Sequence, residues 1–186
     1  MSKIVTYIIL SIVLSKSCVT KAQVHIYANS KAFKKQINNK AYKSIEIDKE
    51  LNQVIAITEN DTKELFSSTS IWGFSKKEPK NNLFYRIIEN NTFLILEINT
   101  NIVLYKHILD HRIPLCKAVF TNDYKSYYFG KNFDDPIFKL KKDYLIEAYN
   151  LDDDKKTALK ELLKEYSFFK KPYTNFASKF ERILRI

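Results

Sequence analysis

A chain of 186 residues, with 31 basic against 21 acidic side chains and 45% hydrophobic residues, has the size and apolar content of one packed domain with a net charge of +10. Its two glycines, Gly73 and Gly130, exclude phosphate cradles of the Walker or dinucleotide type, which need several close glycines so that backbone amides can approach the anion. The lysine pairs at 34–35, 76–77, 141–142, 155–156 and 170–171 are dispersed instead of forming one basic block, so charge gives no nucleic-acid signature.

The N-terminus reads as an export leader. Lys3 supplies a positive start, Ile4 to Leu14 is an apolar run, and Thr20-Lys21-Ala22 places small residues where a signal peptidase cuts. The run stops before Ser15, Lys16 and Ser17, short of the roughly 20 apolar residues that cross a bilayer. Cleavage after Ala22 leaves Gln23 first and no transmembrane span. It also removes Lys3, Lys16 and Lys21 but no acid, leaving 28 basic residues against 21 acidic ones, or +7. A second processing route is lipidation of Cys18, although Lys16 stands where a small residue is expected. With Cys18 gone, Cys116 is a lone thiol in the apolar setting Ile113-Pro114-Leu115, and no intramolecular disulfide can form.

The first expected strand, Gln23 to Ala28, alternates apolar and polar residues, and Asn29-Ser30 then caps a short helix over Lys31 to Ile37. A hairpin is expected next, over Tyr42 to Ile47 and Val54 to Thr58. Further strands are expected at Lys63–Ser67, Ser70–Phe74, Leu83–Ile88, Phe93–Ile98, Ile102–Ile108, Lys117–Thr121 and Ser126–Gly130. Asparagine-rich joints at 38–39, 81–82, 90–91 and 99–101 replace glycine as turn formers, since asparagine tolerates left-handed backbone angles. Connections of helical length are missing between these strands, which favours an antiparallel meander over a parallel sheet. Near Asn150 the pattern changes. After a short helix over Asp143 to Tyr149, capped by Asp143, the stretches Lys155–Phe169 and Tyr173–Leu184 place apolar residues at helical spacing, with Pro172 between them.

The segment Ile71-Trp72-Gly73-Phe74, followed after a charged turn by Phe84-Tyr85-Arg86-Ile87, resembles a loose group of small exported β-rich proteins of flavobacteria and their relatives. In that group a leader ends near Ala-Gln, as Ala22-Gln23 does here, and a Trp-Gly-aromatic step precedes an aromatic-Arg strand. The resemblance covers Gln23 to Tyr149 and implies a β-rich exported domain; it brings no activity with it. The turn from Ser75 to Asn82, rich in lysine and asparagine and without glycine, departs from the group's hairpin.

Among groups that carry chemistry, the aromatic and basic run Tyr124-Lys125-Ser126-Tyr127-Tyr128-Phe129-Gly130-Lys131 is the leading candidate binding surface, with Tyr124, Tyr127 and Tyr128 to stack on a ligand and Lys125 and Lys131 to meet an anion. Trp72, the only indole, is either a core anchor or a sugar platform. His107 and His111 lie four apart, the spacing of two ligands on a helix, but His107 continues a strand pattern and Pro114 comes soon after, so they are weak metal candidates. No serine sits in a nucleophile-elbow pattern. Hydrolysis by paired carboxylates would need Asp134, Asp135 and His111 to line one cleft.

The expected protein is therefore α+β: a signal peptide over 1–22, a β-rich domain over 23–150 built as an antiparallel meander or partly closed barrel-like sheet, and two C-terminal amphipathic helices over 151–186 packed on it. The expected role is that of an exported, noncatalytic binding or interaction protein of the periplasm, envelope or extracellular space. Its partner is an envelope protein or glycan, and no cofactor is implied. A hydrolase of envelope polymers and a lipid-anchored surface protein are the alternatives.

Overall fold

The computed structural model describes residues 23–37, 40–79, 81–108, 127–168 and 175–186. In chain order these hold β1 (Val24–Tyr27), α1 (Ser30–Lys34), β2 (Ala41–Tyr42), β3 (Ser44–Asp48), β4 (Gln53–Ile57), β5 (Lys63–Ser67), a 3-10 turn (Ser68–Ser70), β6 (Gly73–Lys77), β7 (Asn82–Ile88), β8 (Asn91–Ile98), β9 (Val103–Ile108), β10 (Tyr127–Gly130), β11 (Phe138–Lys139), α2 (Lys142–Tyr149), α3 (Asp153–Phe168) and α4 (Phe176–Leu184).

The fold is α+β, with an eight-stranded antiparallel sheet in the order β11-β10-β9-β8-β7-β6-β1-β2. Among the described residues the sheet is not closed: β11 and β2 are its edges, and both are two residues long, short enough to offer little template for unwanted pairing. This corrects the expected barrel-like curl. A second correction concerns β3, β4 and β5, which do not continue the meander but form a separate three-stranded sheet. The strand expected at Ser70–Phe74 begins only at Gly73, because Ser68–Ser70 is a 3-10 turn closed by the Ser67 hydroxyl. The position before α2 is held by Lys141 without a side-chain cap, so Asp143 lies in the first turn instead of capping it.

Strand alternation gives the large sheet two distinct faces. One cross-strand row runs Ile26, Phe74, Tyr85, Leu94, Lys106, Tyr127. On this face Val24, Phe74, Tyr85 and Ile87 pack against Val54 and Ala56 of the small sheet, while farther along Leu104 and Phe129 pack against Leu145, Leu159, Phe176 and Phe180 of α2, α3 and α4. The opposite face carries the row Tyr27, Gly73, Arg86, Phe93, His107. Phe33 of α1 and Phe133 of the 131–137 turn cover it, packed with Tyr27, Val103 and Tyr105.

Of the asparagine joints expected to turn the chain, Asn90 alone among the described residues takes a left-handed backbone angle, and residues 38–39 lie outside them; Asn52, Asn150 and Asn175 take such angles at other positions, as do Gln36, Asp61 and Glu89. Gly73 serves another purpose: a Cβ there would sit 2.1 Å from the Tyr85 carbonyl oxygen, so only glycine lets β6 and β7 approach at this point.

Candidate functional site

Trp72 is fixed at the strand ends by main-chain bonds on both sides. Its N–H donates to the Tyr27 carbonyl at 2.9 Å, and its own carbonyl accepts from the Ile87 N–H at 2.9 Å. The indole Nε1 donates to the Phe133 carbonyl at 3.2 Å. Phe33 stacks on the ring at 4.8 Å and Phe133 meets it edge-on at 5.6 Å. The half-buried indole is thus wedged into an aromatic cluster, and forms a wall instead of a flat platform.

Arg86 lies beside it. This guanidinium is buried, places its carbon 5.8 Å from the Trp72 and Tyr105 rings, and donates from Nη1 and Nη2 to the Asp135 carbonyl at 3.1 Å each, with a longer bond to the Tyr105 hydroxyl at 3.3 Å. Its Nε has no partner among the described residues. Burial holds the Tyr105 phenol above its usual range, against the pull of the Arg86 charge. Together Trp72 and Arg86 grip the carbonyls of Phe133 and Asp135 and so set the 131–137 turn, which is closed from within by Asn132, whose Oδ1 accepts from the N–H groups of Asp134 (2.7 Å) and Asp135 (3.1 Å).

That turn separates two clefts. The first, of about 550 Å³, opens where the ends of the two sheets meet. It is lined by Asn29 and Ser30 at the start of α1, by Asn52, Ser68 and Thr69 from the turns that border the small sheet, by Glu89 and Asn90 from the β7–β8 turn, and by Trp72 and Asp134. Asn29 spends its Oδ1 on the Ala32 N–H at 2.8 Å, capping α1. Asn52 and Asn90 face each other across the gap between the sheets, Asn90 Nδ2 donating to Asn52 Oδ1, while Asn90 Oδ1 has no partner among the described residues. The second cleft, of about 580 Å³, lies on the other side of the turn and is lined by Thr100, Asn101, Lys131, Asn132, Asp135 and Tyr149 among others. There Lys131 sits 5.5 Å over the Tyr149 ring, and the Tyr149 hydroxyl donates to the Asn101 carbonyl at 2.6 Å. Burial, with the Asp135 and Glu181 charges, raises the Tyr149 phenol well above its ordinary value.

The residues singled out in the sequence are dispersed. Trp72 belongs to the first cleft and Lys131 to the second. Tyr127 and Tyr128 point to opposite faces of the sheet: Tyr127 packs with the helices beneath Lys106, and Tyr128 meets Phe93 edge-on at 5.2 Å. Tyr124, Lys125, His111, Cys116 and Cys18 lie outside the described residues, as does the strand expected at 117–121. His107 is on β9, stacked on Phe93 at 4.9 Å with Nε2 3.3 Å from Asn91 Oδ1; burial and the Lys49 charge lower its pKa. Among the described residues no group of three or more His, Cys, Asp or Glu side chains is placed to hold a metal ion. Asp134 faces the first cleft and Asp135 the second. The residues that sequence reasoning missed are Asn29, Asn52 and Asn90, whose only signal was their position at turns.

No family model matches the chain, and neither curated proteins nor solved structures yield a match to it. Among the described residues no helix is long and apolar enough to cross a membrane.

Proposed function

We propose that this is an exported, noncatalytic binding protein whose contact site is the cleft between the two sheets. The observation that carries this reading is the composition of that cleft: hydroxyl and amide groups from four separate turns converge beside the only indole of the chain. Ligand sites are usually concave, with a few convergent polar groups next to an aromatic surface. Export rests on the leader of residues 1–22 and on the resemblance to small exported β-rich proteins. The hydrolytic alternative is disfavoured by the division of Asp134 and Asp135 between different clefts. We read α3 and α4 as amphipathic packing helices, with Leu159, Phe176 and Phe180 spent on the core and not on a partner.

Two measurements test the proposal. Mass spectrometry of the protein recovered from fractionated cells should find Gln23 at the N-terminus outside the cytosol. An intact Met1 on soluble cytosolic protein overturns export, and an acylated Cys18 replaces this reading with the lipid-anchored one. Titration of the purified domain with envelope extract, resolved into glycan, lipid and protein fractions, should shift Trp72 emission saturably and return the ligand with its mass unchanged. A flat emission trace with every fraction removes the cleft as a binding site, and a changed ligand mass removes the noncatalytic reading.

A further inference from the structure

Resting on the cleft's assignment as a binding site, we infer that its ligand is an uncharged, hydroxyl-rich molecule, a neutral glycan segment, held chiefly by amide and hydroxyl hydrogen bonds. The chain has 31 lysines and arginines, yet none of the described residues lining this cleft is one of them. A site for phosphate, sulfate or uronate would place a cation there, because an anion leaving water needs an opposite charge or several aimed N–H groups. The second cleft, which does hold Lys131, shows that the fold can bring a lysine to such a position.

What the cleft offers instead is mixed donor and acceptor capacity. Each asparagine amide carries a carbonyl acceptor and two N–H donors, each serine or threonine hydroxyl serves both ways, and a carboxylate accepts from paired hydroxyls. Asn29, Asn52 and Asn90 supply the amides, Ser68 and Thr69 the hydroxyls, and Glu89 and Asp134, both exposed to solvent, two carboxylates. This inventory matches the vicinal hydroxyls of a sugar, each of which donates one bond and accepts others. The unpartnered Asn90 Oδ1 is an acceptor that a sugar hydroxyl can satisfy once the Asn52–Asn90 pair opens. Trp72 supplies the apolar wall for the C–H edge of a ring, and its own face is already stacked on Phe33.

The backbone geometry provides a clean probe. Asn52 and Asn90 have φ of 54° and 62°, angles that glycine adopts without strain, so Asn52→Gly and Asn90→Gly delete the amides while leaving the turns their conformation. The experiment is a titration of Trp72 emission, with calorimetry beside it, using four neutral hexasaccharides (malto-, cello-, manno- and chito-), hexagalacturonate as the anionic probe and spermine as the cationic one. At least one neutral hexasaccharide should bind saturably, with hexagalacturonate and spermine silent. Its Kd should rise by at least about tenfold in each glycine variant, the loss expected for one polar contact left unmade. Should a glycine variant fail to fold, Thr69→Val carries the same comparison.

Preferential binding of hexagalacturonate or spermine overturns the inference while leaving the cleft a binding site. Silence of every hexasaccharide, alongside a response to the envelope glycan, lipid or protein fractions, overturns it in the same limited way. Silence to the fractions as well removes both readings. Neutral binding undiminished by the glycine variants places the sugar elsewhere and also overturns the inference.

Discussion

One face of the large sheet is covered in two different ways, and the two halves are fastened by different physics. At the helical end the apolar contact of Leu104 and Phe129 with Phe176 and Phe180 is reinforced by carboxylates. Glu97 accepts from the N–H groups of Ala177 and Ser178 at 2.9 Å each and from the Ser178 hydroxyl at 2.7 Å, and Glu181 accepts from the Asn101 N–H at 2.8 Å. At the small-sheet end, Val54, Ala56, Phe74 and Tyr85 form an apolar interface whose polar ties are peripheral: Tyr42 to Glu64, and Asn90 to Asn52. A layer held by greasy contact with few directional bonds leaves its rim open, and the polar cleft occupies that rim.

The difference is sharpest for the residue at the centre of the helical end. Phe180 has no solvent exposure and packs on Tyr149 and Phe176, so Phe180→Ala should cost about 4 kcal/mol from lost burial and the cavity left behind. Equilibrium denaturation checks this. A cost under about 1 kcal/mol would mean that the helices are loosely attached and the comparison fails.

Glu97→Ala should rank second, at about 3 kcal/mol, because three donors at the start of α4 lose one charged acceptor together. Asn175, the residue before the helix, has a left-handed angle and makes no side-chain cap, so Glu97 is the cap. Glu97→Gln, which keeps an acceptor but not the charge, should recover part of the loss in the same denaturation assay. Equal losses for Ala and Gln would show that the carboxylate charge, and not the acceptor, is what matters.

This contact also shows where the sequence is legible. Strands from Leu83 to Ile108 announce themselves by alternation, and their short joints make them neighbours, as the pairing of β7, β8 and β9 bears out. The Glu97 cap is invisible because its partners lie about 80 residues away, and because it depends on a register shift in β8. There Ile95 pairs with Tyr105 and Glu97 with Leu104, so Leu96 is the extra residue of a bulge that re-aims Glu97 and Ile98. The division into two sheets is equally hidden, since Tyr42 to Ser67 has the same period in either arrangement and only the burial of Val54 and Ala56 against Phe74 and Tyr85 decides. Two-residue edge strands such as Ala41–Tyr42 and Phe138–Lys139 are too short to carry a period at all. Of the candidate site, Trp72 was readable as the only indole beside one of two glycines, whereas a cleft assembled from asparagines on distant turns has no linear pattern to find.

At the small-sheet end, alkaline pH offers a third, smaller perturbation. Tyr85 is buried and stacked on Phe74 at 4.6 Å, and burial pushes its phenol up to about 12 from an ordinary value of 10. The folded state therefore keeps a proton that the unfolded chain releases. Its contribution is complete below pH 10 and is lost as pH rises from 10 to 12, by up to about 2 kcal/mol. Tyr85→Phe should flatten that part of the stability profile. An unchanged slope between pH 10 and 12 would assign the alkaline loss to the other raised phenols, such as Tyr166 at the helical end.

The smallest effect belongs to the polar tie between β2 and β5. Tyr42→Phe removes a hydroxyl that donates to Glu64 Oε2 at 2.9 Å, yet Glu64 keeps Lys40, which pairs with its other oxygen at the surface and helps hold its carboxyl below the usual range. Because the remaining acceptor is solvated, the substitution should cost no more than about 1 kcal/mol by thermal denaturation. The ring itself stays in place among Val24, Val54 and Ile71. A larger cost would show that the small sheet is pinned by directional bonds like the helical end, and its rim would then be too rigid for the Asn52–Asn90 pair to part around a ligand.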